Sequence, residues 1–354
     1  MKKKLGLGIC ILSCMSTVYA APNDVFTSIP SFEPDQNLTL SGSIDYFKAK
    51  SKAKNDNQRD YQGVTLGAQY IISPEWYTDL SYWNRTIKYG QNDNDVHSWK
   101  IGLGYVTDFQ LGQDRSIAFA ISAWGNSSSH FDKSSATKYK EYRLTDFSMK
   151  NPQDWQLQMD GIFSQKLNEQ NTFTIFANAA YSNVSVDSLK STLVNKNCYF
   201  DIHVDPNNYL TGRLNKPCTI GNTTANEMTL SADAKVYGID IKKDLNYNAV
   251  ILGTGFNWQW NYQNFNTLFG YNFQYYLRDT SDQAFAGQQE VKSNHIVGLE
   301  LNYALNDQTT LFLQNQYFKS SFVGSIPSLY NPITSSALDK GYDYISLGAR
   351  FNIF

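Results

Sequence analysis

Apolar and polar positions alternate with period two along most of this chain, in runs about ten residues long. In the closing stretch Ile345, Leu347, Ala349, Phe351 and Ile353 fall on one face of an extended backbone. Tyr344, Ser346, Gly348, Arg350 and Asn352 fall on the other. Successive side chains of a strand point to opposite faces, so each such run predicts a strand with one apolar and one polar face. Further runs begin at Leu38, Val64, Trp76, Trp99, Ile117, Trp155, Phe173, Val250, Phe269, Val297 and Leu311. One run alone means little, but a dozen in series predict an all-β, antiparallel architecture whose strands separate two different media.

The last run ends on Phe354 with no polar tail. Soluble chains usually fray at a free end, so an apolar strand placed there is unusual for them. The stretch resembles the closing strand of Gram-negative outer-membrane β-barrels, which ends in phenylalanine and is read by the assembly machinery. Phe354 is one residue out of phase with Ile353 and Phe351, and a bulge would restore the phase. The resemblance implies a porin-like transmembrane barrel, with Phe354 as membrane-insertion signal and outer-membrane lipid and the β-barrel assembly machinery as partners. The competing reading of the last run is an edge strand of a soluble β-domain.

Connection lengths set the expected topology. Short turns are expected at 73–75, 110–114, 167–171, 261–265 and 305–308, and long polar connections at 48–60, 126–152, 184–246, 278–291 and 321–340, with a medium one at 90–96. Barrels of this class place short turns in the periplasm and long loops outside. The alternation works for twelve strands if 184–246 is one external connection, with a hairpin from Leu230 to Ala249 projecting above the membrane. Fourteen strands would need both Leu230–Ile241 and Tyr199–Val204 in the wall.

Lys2, Lys3 and Lys4 precede an apolar run from Leu5 to Cys14 and the small-residue site Val18-Tyr19-Ala20. Residues 1–20 therefore read as a signal peptide, too short to span a bilayer as a helix. An alternative takes Ile11-Leu12-Ser13-Cys14 as a lipoprotein box, and both readings predict export. Residues 21–37 contain three prolines and read as an N-terminal periplasmic segment, with the barrel over 38–354. Removing the signal from 354 residues leaves about 334. The chain has 24 Tyr, 21 Phe and 7 Trp, yet its mean hydropathy is -0.44. Strands that are half wet and girdled by aromatics give that combination. Loss of the three signal lysines leaves 27 basic against 32 acidic residues, which argues against nucleic acid as a partner.

Candidate chemistry is sparse. Cys198 and Cys218 are the only cysteines beyond the signal, and in an oxidising envelope a pair within one loop reads as a disulfide. A metal set of Cys198, His203 and Cys218 is the alternative, without regular ligand spacing. His97 and His130 lie near carboxylates or serines, but adjacency does not make a nucleophile and base. No cofactor or metal is expected. On the polar faces lie Asp79, Arg85, Lys100, Asp160, Glu300 and Arg350, accompanied by Gln156, Gln158, Asn178, Asn302, Gln314 and Gln316. Charges of both signs in a barrel interior must be hydrated or paired. Hydration makes them the lining of a pore, and pairing makes a sealed lumen.

The leading expectation is a monomeric channel, not an enzyme, passing small hydrophilic solutes or ions by diffusion through a charge-lined lumen narrowed by inward-folded loops. The alternatives are an enzyme with its site at the extracellular rim, and a surface-interaction or translocator barrel using its long loops.

Overall fold

The computed structural model describes residues 25–30, 37–49, 61–89, 92–107, 114–134, 136–139, 142–280, 290–320, 325–334 and 341–353. The signal segment, most of 48–60, most of the 110–114 turn and Phe354 lie outside the described residues. Every alternating run forms a strand. The chain begins with β1 (Leu38–Ala49), β2 (Tyr61–Ile71), β3 (Trp76–Tyr89), β4 (Asn92–Val106) and β5 (Arg115–Ser127). It leaves the wall for β6 (His130–Lys133), β7 (Thr137–Tyr139) and β8 (Tyr142–Lys150), then returns as β9 (Gln153–Lys166) and β10 (Asn171–Ser185). A second excursion holds β11 (Ser188–Asn195), β12 (Cys198–Val204), β13 (Tyr209–Leu214), β14 (Cys218–Ile220), β15 (Thr223–Ala225) and β16 (Thr229–Asp233). The wall is completed by β17 (Asn248–Tyr262), β18 (Phe265–Arg278), β19 (Ser293–Asn306), β20 (Thr309–Phe318) and β21 (Tyr342–Ile353).

Twelve of these strands close an antiparallel barrel in the order β1-β2-β3-β4-β5-β9-β10-β17-β18-β19-β20-β21. The closing strand pairs with β1 from Leu38↔Ile353 to Ala49↔Tyr342, so no edge is left open in the wall. Short turns gather at one end. Asn168 makes one of them by accepting from the backbone N–H groups of Gln170 and Asn171, each at 2.9 Å.

The outward face is apolar over most of the wall's height. Ile44, Met159 and Leu347 are 71%, 63% and 63% exposed, and their neighbours on every strand are similar in kind. Water would penalise so continuous an apolar surface, whereas acyl chains would not. Aromatic rings mark both margins. Trp76 packs against Tyr105 and Phe265 against Tyr303 at the turn end, each pair tilted with centroids 4.8 Å apart. Trp155 and Tyr181 pair near the other end.

The long connections depart from expectation. Instead of projecting polar loops, the connections at 126–152 and 184–246 build a cap over the barrel mouth: a seven-stranded sheet in the order β16-β13-β12-β11-β8-β6, with β7 beside β8. Its inner face supplies Leu144, Phe147, Leu193, Phe200, Ile202 and Leu210 to the largest apolar cluster of the molecule. From below, Ile87, Val96, Ile251 and Tyr276 of the wall join the same cluster. The expected hairpin from Leu230 to Ala249 is not formed. Its first half is β16, paired with β13, after which Asp233 caps a 3-10 turn that Gly238 ends in a left-handed conformation (φ 72°). The chain then buries Ile239, Ile241 and Leu245 in the cap core. The fourteen-strand alternative falls for the same reason, since Tyr199–Val204 lies in β12 and Leu230 in β16, both strands of the cap.

Candidate functional site

The barrel interior collects the chemistry. All six charged residues expected on the polar faces, Asp79, Arg85, Lys100, Asp160, Glu300 and Arg350, point inward. On one wall Lys100 Nζ of β4 lies 3.1 Å from Asp79 Oδ2 of β3. Asp79 can lie flat because the residue across from it is Gly102; a Cβ there would stand 2.2 Å from Asp79 Oδ1. Asp160, on β9, accepts from Gln158 Nε2 at 2.7 Å.

On the far wall Arg350 Nη2 lies 3.1 Å from Glu300 Oε1, and both side chains are almost fully buried. Arg350 Nη1 also donates to Asn302 Oδ1 at 2.6 Å, and Asn302 Nδ2 donates back to Glu300 Oε1 at 2.9 Å. The guanidinium rests 4.3 Å from the Phe312 ring centroid. Strong charge-assisted pairing of this kind fixes both side chains against the wall.

Two carboxylates beyond those six also face inward. Among the described residues Asp45 of β1 is held by hydroxyls: Ser43 Oγ and Ser346 Oγ donate to Oδ1 at 2.9 and 2.7 Å, and Thr65 donates to Oδ2. Asp154 of β9 belongs to a chain that begins at Arg85. Arg85 Nη2 donates to Asn126 Oδ1 at 3.0 Å, and Asn126 Nδ2 donates to Asp154 Oδ1 at 2.7 Å.

That chain ends on a loop folded into the mouth. Ser325–Thr334, between β20 and β21, is buried almost throughout. The Ser328 N–H donates to Asp154 Oδ2 at 3.0 Å, and Asn126 Nδ2 reaches Ser325 O at 3.0 Å. The Tyr247 hydroxyl points between the carbonyls of Pro327 and Tyr330, 2.9 Å from each. Burial raises the Tyr247 phenol above its ordinary range, so it remains a neutral donor. Arg278 packs 4.5 Å from the Tyr330 ring and donates to Val291 O at 2.7 Å.

A second segment enters from the turn end. Residues 21–37 read as lying beneath the barrel, yet the described part, 25–30, lies inside it. Val25 and Phe26 are fully buried against Leu268 and Ile296, and Ile29 packs across the lumen on Ala118, Ile162 and Phe176. Asn257 Nδ2 donates to Thr27 O. Gly270 and Gly298 make the room: a Cβ on Gly270 would stand 2.3 Å from Val25 O, and one on Gly298 would stand 2.3 Å from Val25 Cγ2. The only sequence signal for this docking is an apolar pair, Val25-Phe26, within an otherwise irregular stretch. For the inner loop the signal is Ile326, Leu329, Tyr330 and Ile333, apolar residues in a connection read as polar.

Cys198 and Cys218 form the expected disulfide, with Cα atoms 5.1 Å apart and both residues buried in the cap. Joined sulfurs offer no thiolate, which removes the metal set with His203. The two rim histidines have separate partners, although His97 lines an open groove with Ser127, Ser128, Ser129 and Asp187. His97 Nδ1 meets the Tyr82 hydroxyl at 2.8 Å on the outer surface. His130 Nδ1 meets Ser129 Oγ at 2.9 Å, with Asp132 Oδ2 3.7 Å from its Nε2, all on exposed or half-exposed side chains. No buried carboxylate orients either ring among the described residues.

No family description and no curated protein sequence matches the chain. Among solved structures, it is similar to the translocator domain of the autotransporter NalP from Neisseria meningitidis, with TM-score 0.44, 9% identity, and 89% of this chain and 88% of that one covered. The beta domain of the Bordetella autotransporter Brka gives TM-score 0.44 and 10% identity, over 90% and 100% of the two chains. The NanC porin gives 0.40 and 8%, over 89% and 100%. These neighbours are outer-membrane β-barrels, and the likeness is one of fold.

Proposed function

We propose that the protein is an outer-membrane channel for small hydrophilic solutes or ions, held closed in this conformation by the inner loop and the docked N-terminal segment. The apolar belt between aromatic margins supports placement in a bilayer, and the cap would then face the outside. The assembly machinery and membrane lipid are its expected partners, with the barrel acting as a monomer.

One observation carries the channel reading. On the inner wall Ser81 Oγ, Gln158 Oε1, Ser182 Oγ, Glu300 Oε2 and Gln316 Oε1 are buried without a partner among the described residues. Each such atom would cost about 1–3 kcal/mol if left dry. Several of them along one surface favour a hydrated interior over one sealed by its own pairing. These atoms support a hydrated inner wall, with the 25–30 segment and the 325–334 loop lodged at its two ends.

Planar-bilayer recording of the refolded protein tests this, comparing wild type with Gly270→Ala. The wild type should show infrequent discrete steps, and the variant should be open far more often. A folded barrel, shown by heat-shifted gel mobility, that stays silent in both forms would overturn the reading.

The cap supports a second reading as a surface-binding platform. Its outer face holds an open groove of about 460 Å³, lined in part by Lys190, Asp201, His203, Thr211 and Arg213. A binding phenotype lost on Lys190→Ala and Arg213→Ala, with conductance unchanged, would favour it.

A further inference from the structure

The inner wall is charged asymmetrically. Between its ends it carries five carboxylates among the described residues: Asp45, Asp79, Asp154, Asp160 and Glu300. Against them stand four cations, of which Arg278 pairs with Glu290 of the connection that follows β18. Lys100 pairs with Asp79, Arg350 pairs with Glu300, and Arg85 shares the Asn126 network with Asp154. That leaves Asp45 and Asp160. Asp45 is fully buried and held by three hydroxyls, and Asp160 by the amide of Gln158; neither forms an ion pair among the described residues.

Their positions matter as much as their number. β1 and β9 are five strands apart in the twelve-strand ring, and each aspartate is the eighth residue of its strand. The two surplus carboxylates therefore face the lumen from opposite sides near mid-height. Fixed charge of one sign inside a narrow, low-dielectric wall concentrates mobile ions of the other sign. The hydroxyls around Asp45 and the amide beside Asp160 favour the ionised carboxylates without neutralising them; Lys100 acts on Asp160 but is shared with Asp79, so part of the compensating charge is left to a mobile cation.

We propose that the channel is selective for small hydrophilic cations, whether inorganic ions or protonated amines, and that Asp45 and Asp160 set this preference. This rests on the channel reading above and adds the sign of the solute. The other ionised pairs cancel locally and contribute less to the field along the axis.

The test is the reversal potential of single channels in a KCl gradient, recorded on wild type and in the Gly270→Ala background. Wild type should reverse on the potassium side of zero. Asp45→Asn and Asp160→Asn should each move the reversal potential toward zero, and the double variant should move it further. Lys100→Gln should move it the opposite way, which a general loss of structure would not do. Chloride preference in the wild type, or a potential indifferent to all four variants, would overturn the assignment while leaving a channel in place. Silence in every variant would remove the channel itself, and the selectivity with it.

Discussion

Gly270→Ala adds one methyl group and asks whether the N-terminal segment is a separable plug. Gly270 lies on the inner face of β18, between β17 and β19, so the wall there is held by ladders on both sides. The new Cβ would stand 2.3 Å from Val25 O and 3.0 Å from Val25 C. Those are backbone atoms, so no rotamer change relieves the clash and the segment itself must shift. At Gly298 the same methyl meets Val25 Cγ2 and Phe26 Cζ, the ends of side chains, and the response should be milder. Burial of a Val or Phe side chain is worth roughly 1.5–3 kcal/mol, so Val25 and Phe26 together anchor the segment by about 3–6 kcal/mol at most. Overpacking of this kind costs about 1–3 kcal/mol. The undocked population should therefore rise by about 5- to 150-fold in Gly270→Ala. Chymotryptic cleavage after Phe26 follows that population when undocking is fast relative to cutting. Its rate, measured by mass spectrometry on the folded barrel, should rise in the order wild type, Gly298→Ala, Gly270→Ala. Equal protection in all three, with the barrel intact, would refute the idea that the glycines exist to seat this segment.

Three further outcomes are expected. Glu300→Gln leaves the Arg350 guanidinium buried without its carboxylate, which should cost about 3–5 kcal/mol in urea unfolding; adding Arg350→Met should recover much of the loss. Leu299→Arg, on the outward face beside Glu300, should destabilise the barrel in lipid by about 2–4 kcal/mol if that face meets the middle of a bilayer. The same substitution having no effect in vesicles would place the wall elsewhere. Replacing Cys198 and Cys218 together by Ala should weaken the cap by about 3 kcal/mol in the chain-entropy model, seen as an earlier thermal transition of the cap with the barrel transition unmoved.

The wall was readable residue by residue. From Leu38 to Ile353 the outward assignment follows from alternation, because lipid on one side and polar groups on the other impose a strict period of two. The same parity put Asp79, Lys100, Glu300 and Arg350 inside. The cap was less legible. Its strands are short, and the two stretches that stood out, Tyr199–Val204 and Leu230–Ile241, offered themselves as further wall strands, whereas the fold puts β12 and β16 in the cap on either side of β13.

What the amino-acid order determined by itself is the series of alternating wall segments, the division of their faces and the inward direction of the charges, since each depends only on neighbours two residues apart; twelve wall strands rather than fourteen was decided by the fold. What tertiary structure alone decided is how the two ends are filled. Val25, Phe26 and the 325–334 loop have no periodicity, and their burial depends on Gly270, Gly298, Asp154 and Tyr247, residues brought to them only when the barrel closes. The pairing that leaves Asp45 and Asp160 as surplus carboxylates is of the same kind. It follows from which side chains meet across a closed ring of strands, and local sequence carries no record of such meetings.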